Sequence, residues 1–313
     1  MALQHIQYLD PAVVSKLKNI EVKARLIVEG FITGLHKSPY HGFSVEFAEH
    51  RPYNRGESLR SIDWKVLGKT DRLYTKRYEE ETNLRCHLVL DISDSMRYPQ
   101  KGPALTKLEY GCYLTAALAY LMVTQKDAAG LTLFDEQLVH YVPPKARMSW
   151  LLPIFARLEQ VVREQNLFTH RTATAQVLHQ LARKLPRRGL VVLMTDLFVN
   201  LNNTDDLFPA LQHLRHANHE VILFHLLDRE TEESFAFPNQ PLLLRDLETG
   251  EELRVHPEQI REPYLKLMQE YKDRLRRRCR ELRVDFVEVD VRQPYDKALT
   301  EYLIKRARLT RGR

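Results

Sequence analysis

From residue 84 onward, short apolar runs alternate with amphipathic stretches at a steady interval. The run 190–195 shows no polar alternation and lies between Gly189 and Asp196, the pattern of a strand covered on both faces. The runs 84–90, 128–134, 220–226 and 284–289 read as further strands. The run 138–142 follows 128–134 across Asp135-Glu136-Gln137, which predicts a hairpin. Helical spacing occupies 107–124, 150–162, 174–185, 205–216, 257–280 and 295–308. Strand–helix alternation predicts an α/β fold, a doubly wound and mostly parallel sheet with helices on both faces. Residues 235–256 break the rhythm. There 242–246 and 253–255 flank Glu248-Thr249-Gly250-Glu251, which predicts an inserted β-hairpin.

Residues 1–82 differ in texture, being charged and dense in Arg and aromatics. Asp10-Pro11 suits a helix start, an N-cap followed by a first-turn proline. Two short helices are expected to about residue 35, then an irregular segment and a strand near 73–78. The chain thus divides into an N-terminal helical and charged segment, 1–82, packing on an α/β domain, 83–313. Within 42–82, arginines such as Arg51, Arg55, Arg60 and Arg77 mix with Glu46, Glu49, Glu57, Asp63 and Glu79 to Glu81. Guanidinium forks pair well with carboxylates, which favours an internal ion-pair network over a docking surface. Trp64, between Ile62 and Leu67, reads as a core anchor.

The 313 residues include 47 basic and 41 acidic ones, a net charge of +6, which permits an acidic partner without demanding one. The three cysteines, Cys86, Cys112 and Cys279, form no CxxC pair, so a disulfide framework and a Cys-rich zinc site are excluded and a reducing cytoplasm is the expected setting. Residues 1–10 lack the basic-then-apolar order of a secretory leader. The longest uncharged run, 110–125, falls short of the roughly 20 residues that span a bilayer and reads as a core helix.

Chemistry concentrates after the first strand. Asp91-Ile92-Ser93-Asp94-Ser95 puts a carboxylate and two hydroxyls on one turning loop at the carboxyl end of a strand, where open α/β sheets bind ligands. Thr172, ahead of the helix 174–185, and Asp196, ending the strand 190–195, stand at other element ends. Together Asp91, Ser93, Ser95, Thr172 and Asp196 form a hard-oxygen set suited to a divalent cation, Mg²⁺ first, with Mn²⁺ or Ca²⁺ as alternatives. With only two carboxylates, such an ion stays electrophilic and accepts a carboxylate from outside, which favours protein adhesion over hydrolysis. The alternative is a plain strand-to-loop turn in which Asp and Ser cap backbone groups.

This constellation resembles the metal-ion-dependent adhesion site of von Willebrand factor A domains, and the order of elements over 84–308 is similar to that fold. The family's usual Gly before the Thr is replaced here by His170-Arg171. A second resemblance covers about 36–308. It rests on Gly42-Phe43-Ser44-Val45-Glu46-Phe47-Ala48-Glu49-His50-Arg51-Pro52-Tyr53, on Gly56-Glu57-Ser58-Leu59-Arg60-Ser61-Ile62-Asp63-Trp64 and on Lys76-Arg77-Tyr78-Glu79-Glu80-Glu81. Later blocks are Phe224-His225-Leu226-Leu227-Asp228 and Pro294-Tyr295-Asp296-Lys297-Ala298-Leu299. These resemble the domain-of-unknown-function family 58, whose members join such a signature to a von Willebrand A domain. The resemblance implies a non-enzymatic, metal-dependent adaptor or co-chaperone that partners a MoxR-type AAA+ ATPase or that ATPase's client protein.

Other patterns point elsewhere and are weaker. Gly68-Lys69-Thr70 lacks the upstream Gly of a phosphate loop, Asp63 standing in its place. Ser93 and Ser95 lack the G-x-S-x-G surroundings of a hydrolase nucleophile, which leaves a metal-dependent hydrolase as a minor alternative. His213, His216 and His219, at three-residue spacing, read as solvated or capping. Basic runs at Arg274, Arg276, Arg277, Arg278 and Arg280 and at Lys305, Arg306, Arg308, Arg311 and Arg313 make nucleic-acid binding the runner-up function. They carry few aromatics, and Glu270, Asp273 and Glu281 interrupt the first, so a solvated helix face is the expectation.

Overall fold

The computed structural model describes residues 10–35, 50–52, 68, 74–76, 84–99, 105–164, 173–186, 188–197, 206–248 and 250–311. In chain order the elements are α1 (Pro11–Ser15), α2 (Ile20–Leu35), β1 (His50–Pro52), β2 (Tyr74–Lys76), β3 (Arg85–Asp91), α3 (Lys107–Thr124), β4 (Ala128–Phe134), β5 (Leu138–Lys145) and α4 (Leu151–Arg163). There follow α5 (Thr174–Lys184), β6 (Leu190–Thr195), α6 (Leu207–His216), β7 (Glu220–Leu227), β8 (Leu242–Arg245), β9 (Glu252–Val255), α7 (Pro257–Glu281), β10 (Asp285–Asp290) and α8 (Asp296–Arg311).

Six strands make the main sheet, in the order β10-β7-β6-β3-β4-β5. Every neighbouring pair is parallel except the hairpin β4–β5, which runs antiparallel at one edge. The expected doubly wound architecture is therefore present. Strand residues alternate between two cores. Leu88, Leu90, Leu131, Val192 and Ile222 pack with α2, α3, α4 and α8. Val89, Val191, Leu193, Val221 and Leu223 pack with α5, α6 and α7. The chain runs outward from β3 to β4 and β5, then returns to the other side of β3 to lay down β6, β7 and β10. The boundary between β3 and β6 is consequently a topological switch point, where successive loops diverge from the sheet's carboxyl edge.

Helix α3 is apolar on every side and buried along nearly its whole length, the condition of a helix inside a core. Its start is set by a capping box in which Thr106 Oγ1 accepts from Glu109 N and the Glu109 carboxylate accepts from Thr106 N. In α7 only Tyr271, Lys272, Leu275 and Cys279 are buried after Pro257, so the helix joins the core through its second half. The inserted hairpin is present as the antiparallel pair β8–β9.

Several expectations need correction or fall outside the described residues. His219 is not on a helix face: α6 stops at His216, Asn218 takes φ +61°, and His219 enters the amino edge of the sheet, fully buried. His213 meets His179 of α5, Nδ1 to Nδ1 at 3.2 Å. The three-residue strand β1 was not expected, because its charged surroundings show no alternation; it pairs with β2. Trp64, Thr172 and most of the charged segment 42–82 lie outside the described residues. Of Gly68-Lys69-Thr70, only Gly68 is described.

His87 lies at the amino half of β3, buried, with its ring edge-on to His219 at 6.3 Å between centroids. Burial, the neighbouring His219 and the Arg85 guanidinium lower its pKa to about 4. The folded state therefore keeps His87 neutral while the unfolded chain protonates it near its ordinary value of about 6.5. Its contribution is complete above pH 6.5 and is lost as pH falls toward 4, by up to about 3 kcal/mol. Urea unfolding midpoints of the His87→Leu variant should fall less steeply than wild type over that window; identical slopes would show that His87 does not titrate on unfolding.

Candidate metal centre

Parallel strands end together, so their last residues share one edge of the sheet. Asp91 is the last residue of β3, and Asp196 follows Thr195, the last residue of β6, so the two acids flank the switch point. Past Asp91 the chain turns through Ser93 into the short 3₁₀ turn Asp94–Arg97. Ser93 N donates to Asp91 Oδ1 at 3.0 Å, the closure of an Asx turn that brings Ser93 and Ser95 back over the strand end. The two serine hydroxyls lie 3.1 Å apart. Thr195 Oγ1 donates to Asp91 Oδ2 at 2.7 Å and ties β6 to the same carboxylate.

Asp91, Ser93, Ser95 and Asp196 are thus gathered at one buried edge. Thr172 is outside the described residues; the next residue, Ala173, donates its N–H to Asp135 O at the end of β4. Burial and the Asp196 carboxylate push the Asp91 carboxyl up to about 7, against the pull of the Thr195 and Ser93 hydrogen bonds.

The group opposite these acids has no signature along the chain. Lys107, the first residue of α3, is buried with its ammonium 2.7 Å from Asp196 Oδ2 and 2.6 Å from Glu232 Oε1. Burial alone would lower the lysine's pKa, but the two carboxylates outweigh it and the net direction is up, so Lys107 is charged. Glu232 belongs to a single π-helical turn, Arg229–Glu233, that follows β7. Burial raises its pKa despite the ammonium. Its second oxygen accepts from Asp228 N at 2.7 Å, and its main-chain carbonyl accepts from the Tyr264 hydroxyl of α7. Asp228, fully buried, is held by Arg292 through two parallel bonds of 2.7 and 2.8 Å. His225 Nε2 meets the Asp196 carbonyl oxygen at 2.9 Å, and burial lowers the ring's pKa to about 4.

Asp228 is matched by Arg292, and Lys107 bridges Asp196 and Glu232. The side chains presented by Asp91, Ser93, Ser95 and Asp196 are all hard oxygen donors, the chemistry that would suit a divalent cation. No group of three or more His, Cys, Asp or Glu suited to a metal occurs among the described residues. A cation at this edge would have to rely on hydroxyls as well as carboxylates.

Lys107, Thr195 and Glu232 were missed as site members. Thr106 and Glu109 do mark the helix start, but a lysine at the head of a helix reads as solvent-exposed. Nothing in the chain indicates that Glu232 is the partner. On α7, Arg276 pairs with Glu288 and Arg278 with Glu281, in keeping with a solvated, partly neutralised face.

Residues 49–274 match the family described as "Protein of unknown function DUF58". Uncharacterised proteins of Mycobacterium tuberculosis and Mycobacterium bovis are 24% identical over 250 residues, which cover 77% of this chain and 73% of each relative. Among solved structures, the conserved hypothetical protein BatB from Bacteroides thetaiotaomicron aligns with a TM-score of 0.44 at 15% identity, covering 72% of this chain and 99% of that one. The SpRpn10 VWA domain aligns with a TM-score of 0.35 at 11% identity, covering 70% of this chain and 95% of that one.

Arg292 is the only described cation on Asp228, and its side chain is 36% exposed, so water moderates the loss when it is removed. Arg292→Ala should cost about 2–3 kcal/mol in urea unfolding. Adding Asp228→Ala should recover most of it; a double variant no more stable than the single would show that the pair is not coupled.

Proposed function

The chain belongs to the DUF58 family, and from that premise we propose that it is a non-enzymatic, divalent-cation-dependent adaptor that binds a partner protein through the carboxyl edge of its sheet. The observation that carries this reading is the gathering of the Asp91 and Asp196 carboxylates with the Ser93 and Ser95 hydroxyls at one buried sheet edge, four hard oxygen donors from two neighbouring strand ends. Mg²⁺ is the expected ion; Asp91, Ser93, Ser95 and Asp196 would hold it, with Thr172 as the fifth ligand. When bound, the ion supplies an electrophilic position for a partner's carboxylate. The protein's own part is to hold these oxygens in place. Asp91 is fixed by Ser93 N and Thr195 Oγ1, and the Asp196 main chain by His225.

A binding role is favoured over catalysis by the hydroxyl partners. Ser93 and Ser95 face each other and, among the described residues, no histidine, and His225 turns its Nε2 to a carbonyl. The partner we propose is a MoxR-type AAA+ ATPase or its client, in the cytoplasm. No described helix is long and apolar enough to cross a membrane.

Calorimetry should show one Mg²⁺ or Mn²⁺ bound per chain, and Asp91→Ala should weaken it by at least about tenfold, or 1.4 kcal/mol. Capture of the purified ATPase should require the ion and be lost in the same variant. A folded Asp91→Ala protein that retains both activities in full would falsify the proposal.

A further inference from the structure

We infer that Lys107 is the resident counter-ion of this site: it sets how tightly a divalent ion is held, and through Glu232 it transmits the site's occupancy to the turn Arg229–Glu233. The inference rests on the metal reading above and goes beyond it by naming what regulates the site.

Geometry supplies the argument. The Lys107 ammonium bridges Asp196 Oδ2 at 2.7 Å and Glu232 Oε1 at 2.6 Å, and its side chain is 1% exposed, so it has no ready path to solvent. An ion attracted to Asp91, Ser93 and Ser95 must share Asp196 with this ammonium. Two cations on one carboxylate repel strongly where water does not screen them. Lys107 can relieve that repulsion without leaving the interior, because Glu232 already holds it. Filling of the site therefore moves Lys107 from two carboxylates toward one.

Glu232 does not move alone. It is tied to Asp228 N through Oε2 and to Tyr264 of α7 through its carbonyl. The same turn is joined to the loop bearing Ser93 and Ser95 by a second route, Tyr98 Oη to Thr231 Oγ1 at 2.7 Å. The Asp196–Lys107–Glu232 bridge and the Tyr98–Thr231 bond therefore both link the candidate site to one turn beside α7. That turn is consequently the part of the structure whose packing depends on where Lys107 stands.

The test measures Mn²⁺ binding by calorimetry in the chelator-treated full chain, with hydrogen exchange followed over residues 228–234. Lys107→Met should tighten Mn²⁺ by about tenfold or more, because a competing cation is gone. Glu232→Gln should weaken it by at least about threefold, because the ammonium then competes more strongly for Asp196. In wild type, Mn²⁺ should change exchange at 228–234; in Lys107→Met it should not. Should Lys107→Met fail to fold, the isosteric Glu232→Gln carries the test. Affinities unchanged in both variants, with Asp91→Ala alone impaired, would overturn this inference and leave the metal reading standing. No Mn²⁺ binding by any protein, or binding that survives Asp91→Ala, would remove both. Binding by Lys107→Met but not by wild type would support the inference, the ammonium then excluding the ion outright.

Discussion

A buried ammonium that bridges two carboxylates ties together the parts of this molecule that matter for its chemistry. Lys107 sits at the first position of α3, where the helix dipole is positive and a cation is disfavoured. It is also almost wholly removed from water, at a cost of several kcal/mol for an unpaired charge. Asp196 and Glu232 must offset both penalties, so the end of β6, the turn after β7 and the start of α3 are held in mutual register by one contact set. Removing any one of the three groups leaves the others charged in an apolar setting. The carboxyl edge of the sheet therefore behaves as a unit rather than as independent loops.

The position of that unit follows from topology. Strands β3 and β6 are neighbours in the sheet but far apart in the chain. Among the described residues polar side chains tie their ends together: Thr195 reaches Asp91, His225 reaches the Asp196 carbonyl, and Lys107 reaches Asp196. The acids can stand here without breaking the sheet because Asp91 is the last residue of β3 and Asp196 lies just past the end of β6. The apolar interiors of β3 and β6 continue beneath them into both cores.

How legible this was in the sequence depended on the range of the interaction. The strands 128–134 and 190–195 and the helix 107–124 have the expected bounds, because burial on every side writes a continuous apolar run. Asp91, Ser93 and Ser95 fall together as their spacing suggests, because their contacts are local and the Asx turn has a short pattern. Asp196 lies at the same edge because it follows a recognisable strand. Lys107 was missed, since its partners lie 89 and 125 residues further along, and a lysine heading a helix reads as solvent-exposed. Glu232 was hidden in Arg229-Glu230-Thr231-Glu232-Glu233, a charged stretch that looks like a surface loop. His219 misled for a related reason: a three-residue spacing suggests one helix face only while the helix lasts, and Asn218 turns the chain out of it.

A fold that carried Asp196 and Glu232 at one buried edge with no internal cation would need an outside one merely to remain folded, because any ligand of the native state stabilises it by mass action. Lys107 supplies that cation from within the chain, 2.7 Å from Asp196 and 2.6 Å from Glu232. The register of β6, α3 and the turn after β7 therefore does not wait on a ligand. An ion arriving at Asp91, Ser93 and Ser95 would meet an edge already built, and it would meet a resident positive charge there as well. The charge that lets the chain stand alone is thus the one that any second cation would have to face.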